Sequence, residues 1–248
     1  MEQKFLNQIL SFCINLVRFE SMDKIEEPAG WATGFIVLHN GIKYLLTAGH
    51  VAEKNTTWYW ESPLINEKER HVVQIPVGPF QLMKIGKIGK SAEEATDVDF
   101  AWCKFSRIEQ EYQKKCKELI LQGISKKDEW EQKYYQGPLD KDPILNNEPY
   151  SYAAWNRAEM FTCDATLKRY PSYETDMTYV GKDEQGIYFF KLIEKHKGHD
   201  YYRGASGAPI VDHEGAIVSM VLGGDEANNL IFGAPISEYS KILACTCL

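Results

Sequence analysis

Three features of the sequence predict an all-β fold made of two antiparallel halves. The segment Gly34 to Thr47 reads GFIVLHNGIKYLLT, two apolar and β-branched runs hinged on Asn40-Gly41. An Asn-Gly pair tolerates positive φ at both positions and is the strongest short-range hairpin signal. Short apolar runs bounded by turn-forming or charged residues recur before residue 105 and again after 150. Nothing in the pattern alternates strand with helix as parallel βαβ units do.

The elements follow in order. Met1 to Glu20 is moderately apolar, but Asn7, Gln8, Ser11 and Asn15 interrupt it and no small-x-small cleavage site follows, so it reads as part of the fold rather than as a secretory signal. After the hairpin come strand candidates at His71 to Pro76, Phe80 to Ile88 and Asp99 to Phe105. From Ser106 to about Lys133 the pattern changes: Ile108, Tyr112, Cys116, Leu119 and Ile120 recur at helical spacing among Glu, Gln and Lys, an amphipathic helix with a solvated face. Pro138, Pro143 and Pro149 with Gly137, Asn146 and Asn147 make a linker-like stretch. The division is therefore a first β unit over 1–105, a helical connector or insert over 106–150 and a second β unit over 151–248.

In the second unit the strand candidates are Met177 to Val180, Gly186 to Ile193, Ala208 to Val211, Ala216 to Leu222 and Leu230 to Ile236. Ser237 as a cap, with Lys241 further on, predicts a short C-terminal helix.

The chain has 248 residues and a net charge of −7, with a pI near 5.5. This charge argues against nucleic-acid binding, which draws on Lys and Arg neutralising phosphates, and against anionic membranes. No apolar run approaches the roughly 20 residues that span a bilayer. The six cysteines form no dense framework, so free thiols in a reducing cytoplasm are the expectation. Cys245-Thr-Cys247 has no second Cys or His pair at ligand spacing, so neither a metal nor an organic cofactor is expected.

Three motifs carry residue types that nucleophilic catalysis requires: Thr47-Ala48-Gly49-His50, Asp97-Val98-Asp99-Phe100-Ala101 and Gly204-Ala205-Ser206-Gly207-Ala208-Pro209. A serine hydroxyl is a weak nucleophile at neutral pH. It needs an imidazole to take its proton and a carboxylate to hold that imidazole in the right tautomer. Glycines beside the serine let backbone N–H groups turn toward the oxygen that becomes negative in the tetrahedral intermediate, where one donor is worth about 3 kcal/mol. Each motif alone is common in loops and strand ends that do no chemistry. Their joint occurrence in the order His, Asp, Ser is far more specific.

In that order the motifs TAGH, D-F-A and GxSGxP resemble the chymotrypsin-like (trypsin-like) serine proteases over most of the chain except roughly 106–150. The resemblance implies a double antiparallel β-barrel with the active site between the barrels. Carried over residue by residue, Ser206 is the nucleophile, His50 the general base and then acid, and Asp99 the orienting carboxylate. The N–H groups of Gly204 and Ser206 form the oxyanion hole. Asp97 is the rival carboxylate, since residues two apart on a strand share a face, but the family's Asp directly precedes an apolar-Ala pair, as Asp99 does.

Two departures stand out. Ala205 replaces the Asp with which family members matured by cleavage pair their new N-terminus, and the helical stretch is longer than the usual link between barrels. The latter is either a docking site for a regulatory protein or a solvated decoration. Asp200 lies six residues before Ser206, where trypsin-like members carry the acid that selects Lys or Arg at P1; an exposed loop residue is the equal alternative. Ser219 to Val221 and Gly233 resemble pocket walls, and Arg203 is a candidate substrate contact or a surface charge.

The expected function is a trypsin-like serine endopeptidase acting on a protein or peptide substrate. The alternatives are a partner-activated protease of a signalling or antiviral defence system, a catalytically silent binding module on the same fold, and a viral polyprotein protease. A lipase-like hydrolase is disfavoured, because GxSGA lacks the second glycine of G-x-S-x-G and the only histidine after Ser206 is His213, in an apparent turn.

Overall fold

The computed structural model describes residues 3–19, 28–52, 57–66, 71–85, 96–122, 133–146, 149–155, 159–161, 166–168 and 171–245. The first β unit is one seven-stranded sheet in the order β5-β4-β1-β2-β3-β7-β6. Its strands are β1 (Cys13–Arg18), β2 (Gly30–His39), β3 (Ile42–Thr47), β4 (Trp58–Asn66), β5 (His71–Val77), β6 (Gln81–Ile85) and β7 (Thr96–Lys104). Every described pairing in it is antiparallel.

The Asn40-Gly41 turn forms as expected, with φ of 49° and 77° joining β2 to β3. β2 and β3 are buried along most of their length because both faces are covered, which is why they read as continuous apolar runs.

The second unit is a closed barrel, β11-β12-β15-β14-β13-β8. It comprises β8 (Pro149–Trp155), β11 (Pro171–Lys182), β12 (Tyr188–Lys191), β13 (Pro209–Val211), β14 (Ile217–Asp225) and β15 (Leu230–Pro235), while β9 (Glu159–Phe161) and β10 (Thr166–Lys168) pair with each other outside it. Its interior holds Tyr150, Tyr152, Phe190, Ile210 and Val218, all fully buried. Closure removes exposed edges from the smaller half.

Helix α1 (Gln3–Ser11) and β1 show that the N-terminal stretch is indeed part of the fold, with Leu6, Ile9, Ile14 and Leu16 in the core. Helix α3 (Phe105–Leu121) occupies the stretch of helical spacing and buries Phe105, Ile108, Tyr112 and Cys116 against the first sheet. The rest of the stretch expected to be helical, residues 123–132, lies outside the described residues.

At the C-terminus the expected Ser237 cap is not made. Two short helices, α5 (Ile236–Tyr239) and α6 (Lys241–Cys245), follow Pro235 without a side-chain cap, and the Ser237 hydroxyl instead donates to Asp142. Ser237 is itself buried, and its hydroxyl is taken up by the Asp142 carboxylate rather than by the helix backbone. Among the described residues no helix is long and apolar enough to cross a membrane.

Candidate active site

β3 runs out at Thr47, and after Ala48 the chain enters α2 (Gly49–Ala52), which carries His50. A Cβ on Gly49 would lie 2.7 Å from the Phe100 nitrogen and 2.9 Å from the Asp99 Cα, so only glycine lets this turn rest directly on β7. That contact seats His50 on Asp99. The His50 backbone N–H donates to Asp99 Oδ1 at 2.8 Å, and Nδ1 lies 3.0 and 2.9 Å from Oδ1 and Oδ2.

Nδ1 facing a carboxylate carries the proton, and Nε2 is then the basic nitrogen on the opposite side of the ring. Burial by itself would raise the Asp99 pKa. The hydrogen bond from the His50 ring, its charge and the backbone N–H groups of His50 and Gly49 outweigh that and hold the carboxyl below the ordinary Asp value.

Ser206 sits in the loop between α4 (His199–Tyr202) and β13. Gly207 has φ of 89°, and a Cβ there would run into the Thr33 carbonyl and the Thr47 hydroxyl, so glycine is required twice over. The loop is sewn to the first sheet by Thr33: its N–H donates to the Ser206 carbonyl at 2.9 Å and its hydroxyl to the Gly204 carbonyl at 2.8 Å. The Thr47 hydroxyl in turn donates to the Thr33 carbonyl at 2.9 Å. Ser206 thus packs against the strand ends from which the His50 turn departs.

Within the second barrel the Gly207 N–H donates to the Val221 carbonyl at 2.8 Å, and the Ser206 hydroxyl to Leu222 O at 3.4 Å, a long contact that a rotation about one bond releases. Gly204 has φ of 99°. Among the described residues neither its N–H nor that of Ser206 is used in a turn or loop hydrogen bond. Two such donors beside a serine hydroxyl are what a developing oxyanion needs.

Asp99, rather than Asp97, is the carboxylate that meets His50; Asp97 pairs through its backbone with Lys84. Asp200 is exposed on α4. The Arg203 guanidinium stacks on Trp31, 4.9 Å from the ring centroid.

Ser219 to Val221 and Gly233 are buried, with the Ser219 hydroxyl donating to the Ala234 carbonyl at 2.8 Å. The accessible part of β14 is Leu222 to Gly224 instead, because the strand leaves the barrel core after Val221. Sequence reasoning missed Thr33, which had no motif around it, and gave Thr47 no role although it opens the histidine motif.

No family model and no curated protein matches the chain. Solved structures do. Human heparin binding protein aligns at TM-score 0.56 with 10% identity, over 95% of this chain and 90% of its own. A scabies mite inactivated protease paralogue aligns at 0.55 with 11% identity, over 97% and 92%. Neuropsin, a serine protease of mouse brain, aligns at 0.52 with 11% identity, over 94% of each chain. The fold is therefore the chymotrypsin-like one. Its bearers here include a serine protease, an inactivated protease and a heparin binding protein, so function has to be argued from the site.

Proposed function

We propose that the protein is a serine endopeptidase that hydrolyses peptide bonds through an acyl-enzyme. The observation that carries this reading is the triple contact of Asp99 with the His50 backbone and ring, which fixes the tautomer and faces the basic nitrogen away from the carboxylate.

Ser206 Oγ attacks the scissile carbonyl carbon while its proton passes to His50 Nε2. The carbonyl oxygen becomes an oxyanion accepted by the Gly204 and Ser206 N–H groups. The C–N bond then breaks as His50 gives its proton to the departing amine. Water, deprotonated by His50, attacks the acyl ester and releases the new carboxylate and the Ser206 hydroxyl. Asp99 keeps its negative charge throughout and stabilises the imidazolium.

The test is covalent labelling by a fluorophosphonate followed by intact mass. One adduct on the wild type, absent in Ser206→Ala and much reduced in His50→Ala, is the expected result; an unlabelled wild type overturns the reading of a competent enzyme. A second reading is a latent protease opened by a partner on the 106–150 insert. Labelling that appears only when a partner is added distinguishes it. The Lys or Arg preference that Asp200 would confer is a separate proposal, set against another residue in the peptide experiment below. The buried free thiols Cys13, Cys103 and Cys116 support a reducing compartment.

A further inference from the structure

The strand edge beside Ser206 has a feature that the catalytic steps leave unused. Leu222, whose carbonyl accepts from the Ser206 hydroxyl, is followed on β14 by Gly223 and Gly224, and Gly224 is exposed. A Cβ on Gly224 would lie 3.0 Å from Nε2 of His196. The imidazole therefore lies over the bare face of the strand at Gly224, two residues, or about 7 Å, beyond the carbonyl that Ser206 touches.

His196 is held there by several contacts. The residue is 7% exposed, and its ring lies 4.3 Å, centroid to centroid, from that of Tyr202 on the short helix that leads to Ser206. The His196 N–H donates to Asn229 Oδ1 at 2.6 Å, and Asn229 Nδ2 donates to the Leu192 and Glu194 carbonyls, both at 3.0 Å. The decisive contact is the Gly198 N–H, which donates to His196 Nδ1 at 3.2 Å. A ring nitrogen that accepts has no proton, so in the neutral ring the proton is on Nε2 and Nε2–H is a donor presented at the bare face of Gly224.

We propose that His196 is the specificity-determining residue of the cleft: its Nε2–H, presented beside Gly224, donates to the carbonyl or carboxylate oxygen of a Gln or Glu side chain at P1. This rests on the reading of Ser206 as the nucleophile.

The surrounding charges agree. The Glu174 carboxylate behind Tyr202 is already satisfied by Lys197 Nζ at 2.9 Å and the Tyr202 hydroxyl at 2.8 Å, so it is not offered to a cationic substrate. Asp200 is exposed on α4, and the Asp225 carboxylate, whose charge reaches His196, already accepts from the Asn228 N–H at 3.1 Å and from Asn228 Nδ2 at 2.6 Å. A Lys or Arg head group against His196 would set donor against donor in a half-dry site, and sites built to hydrogen-bond one partner reject a mismatched one strongly.

Binding of peptides with C-terminal Gln, Glu, Lys or Leu to the Ser206→Ala protein, measured by calorimetry, tests this without requiring turnover. The expected result is at least tenfold tighter binding of the Gln or Glu peptide than of the Lys and Leu peptides, with the two acceptor arms showing whether amide or carboxylate is preferred. The preference should vanish in Ser206→Ala/His196→Leu and also in Ser206→Ala/Gly224→Val, where the added side chain displaces the ring without removing it.

Tightest binding of the Lys peptide, lost on Asp200→Asn, overturns the proposal, as does equal or absent binding of all four. Acceptor preference together with an unlabelled wild type keeps the His196 assignment and sinks the peptidase reading. Labelling without acceptor preference does the reverse.

Discussion

The two halves of the candidate site are built by different physics. In one half His50 and Asp99 are joined by charge and hydrogen bonds, with side chains 45% and 33% exposed, so solvent screens much of the attraction. In the other, the Ser206 loop is fixed by backbone close approach: Gly207 wedged against Thr33 and Thr47, and Thr33 bonded to the carbonyls of both Ser206 and Gly204. Damage to the first half should therefore appear in catalysis with little cost in stability. Damage to the second should appear in stability first.

The sharpest way to break this contrast is Asp99→Asn. The amide can donate to Nδ1, which places the imidazole proton on Nε2 and removes the base; kcat is expected to fall by about 10⁴, with the urea midpoint little changed. A large stability loss instead would show that the pair is structural.

Next in size, Gly207→Ala has neither the left-handed conformation nor the room it needs, and unfolding free energy should drop by about 2–4 kcal/mol in urea titration, with fluorophosphonate labelling lost. Retained stability would mean that the loop is not anchored as described.

The smallest effect is on pH. Asp99 is held below its ordinary value in the folded protein, so its contribution is present above the unfolded Asp pKa and is lost as pH falls through the lower folded value. Wild type and Asp99→Asn should differ in stability by a constant amount above about pH 4 and converge below it in a series of urea melts. A difference that persists unchanged into stronger acid would exclude the depressed carboxyl.

The same contrast explains what could be read beforehand. The hairpin at Asn40-Gly41, the helix over the 105–121 stretch and the two antiparallel halves were legible because each depends on local period and turn chemistry. β1 and β4 were not legible as strands. Cys13–Arg18 and Trp58–Asn66 have neither clean alternation nor flanking turn pairs, and they are strands because β2 and β5 supply partners for their backbones. The 123–132 stretch, the later part of the expected helical region, and 246–248, with Cys247, lie outside the described residues.

The site's residue types and their order are written locally: a histidine after TAG, an aspartate before an apolar-Ala pair and a serine among glycines answer requirements of turn and strand. Packing between distant segments alone settles that Thr33 and Thr47 hold the serine loop, that the accessible part of β14 is Leu222 to Gly224, and that His196 lies against it. These are contacts between segments far apart in the chain. Their partners are fixed by sheet register and loop closure, quantities set by packing the two halves together that leave no local signature in the residues themselves.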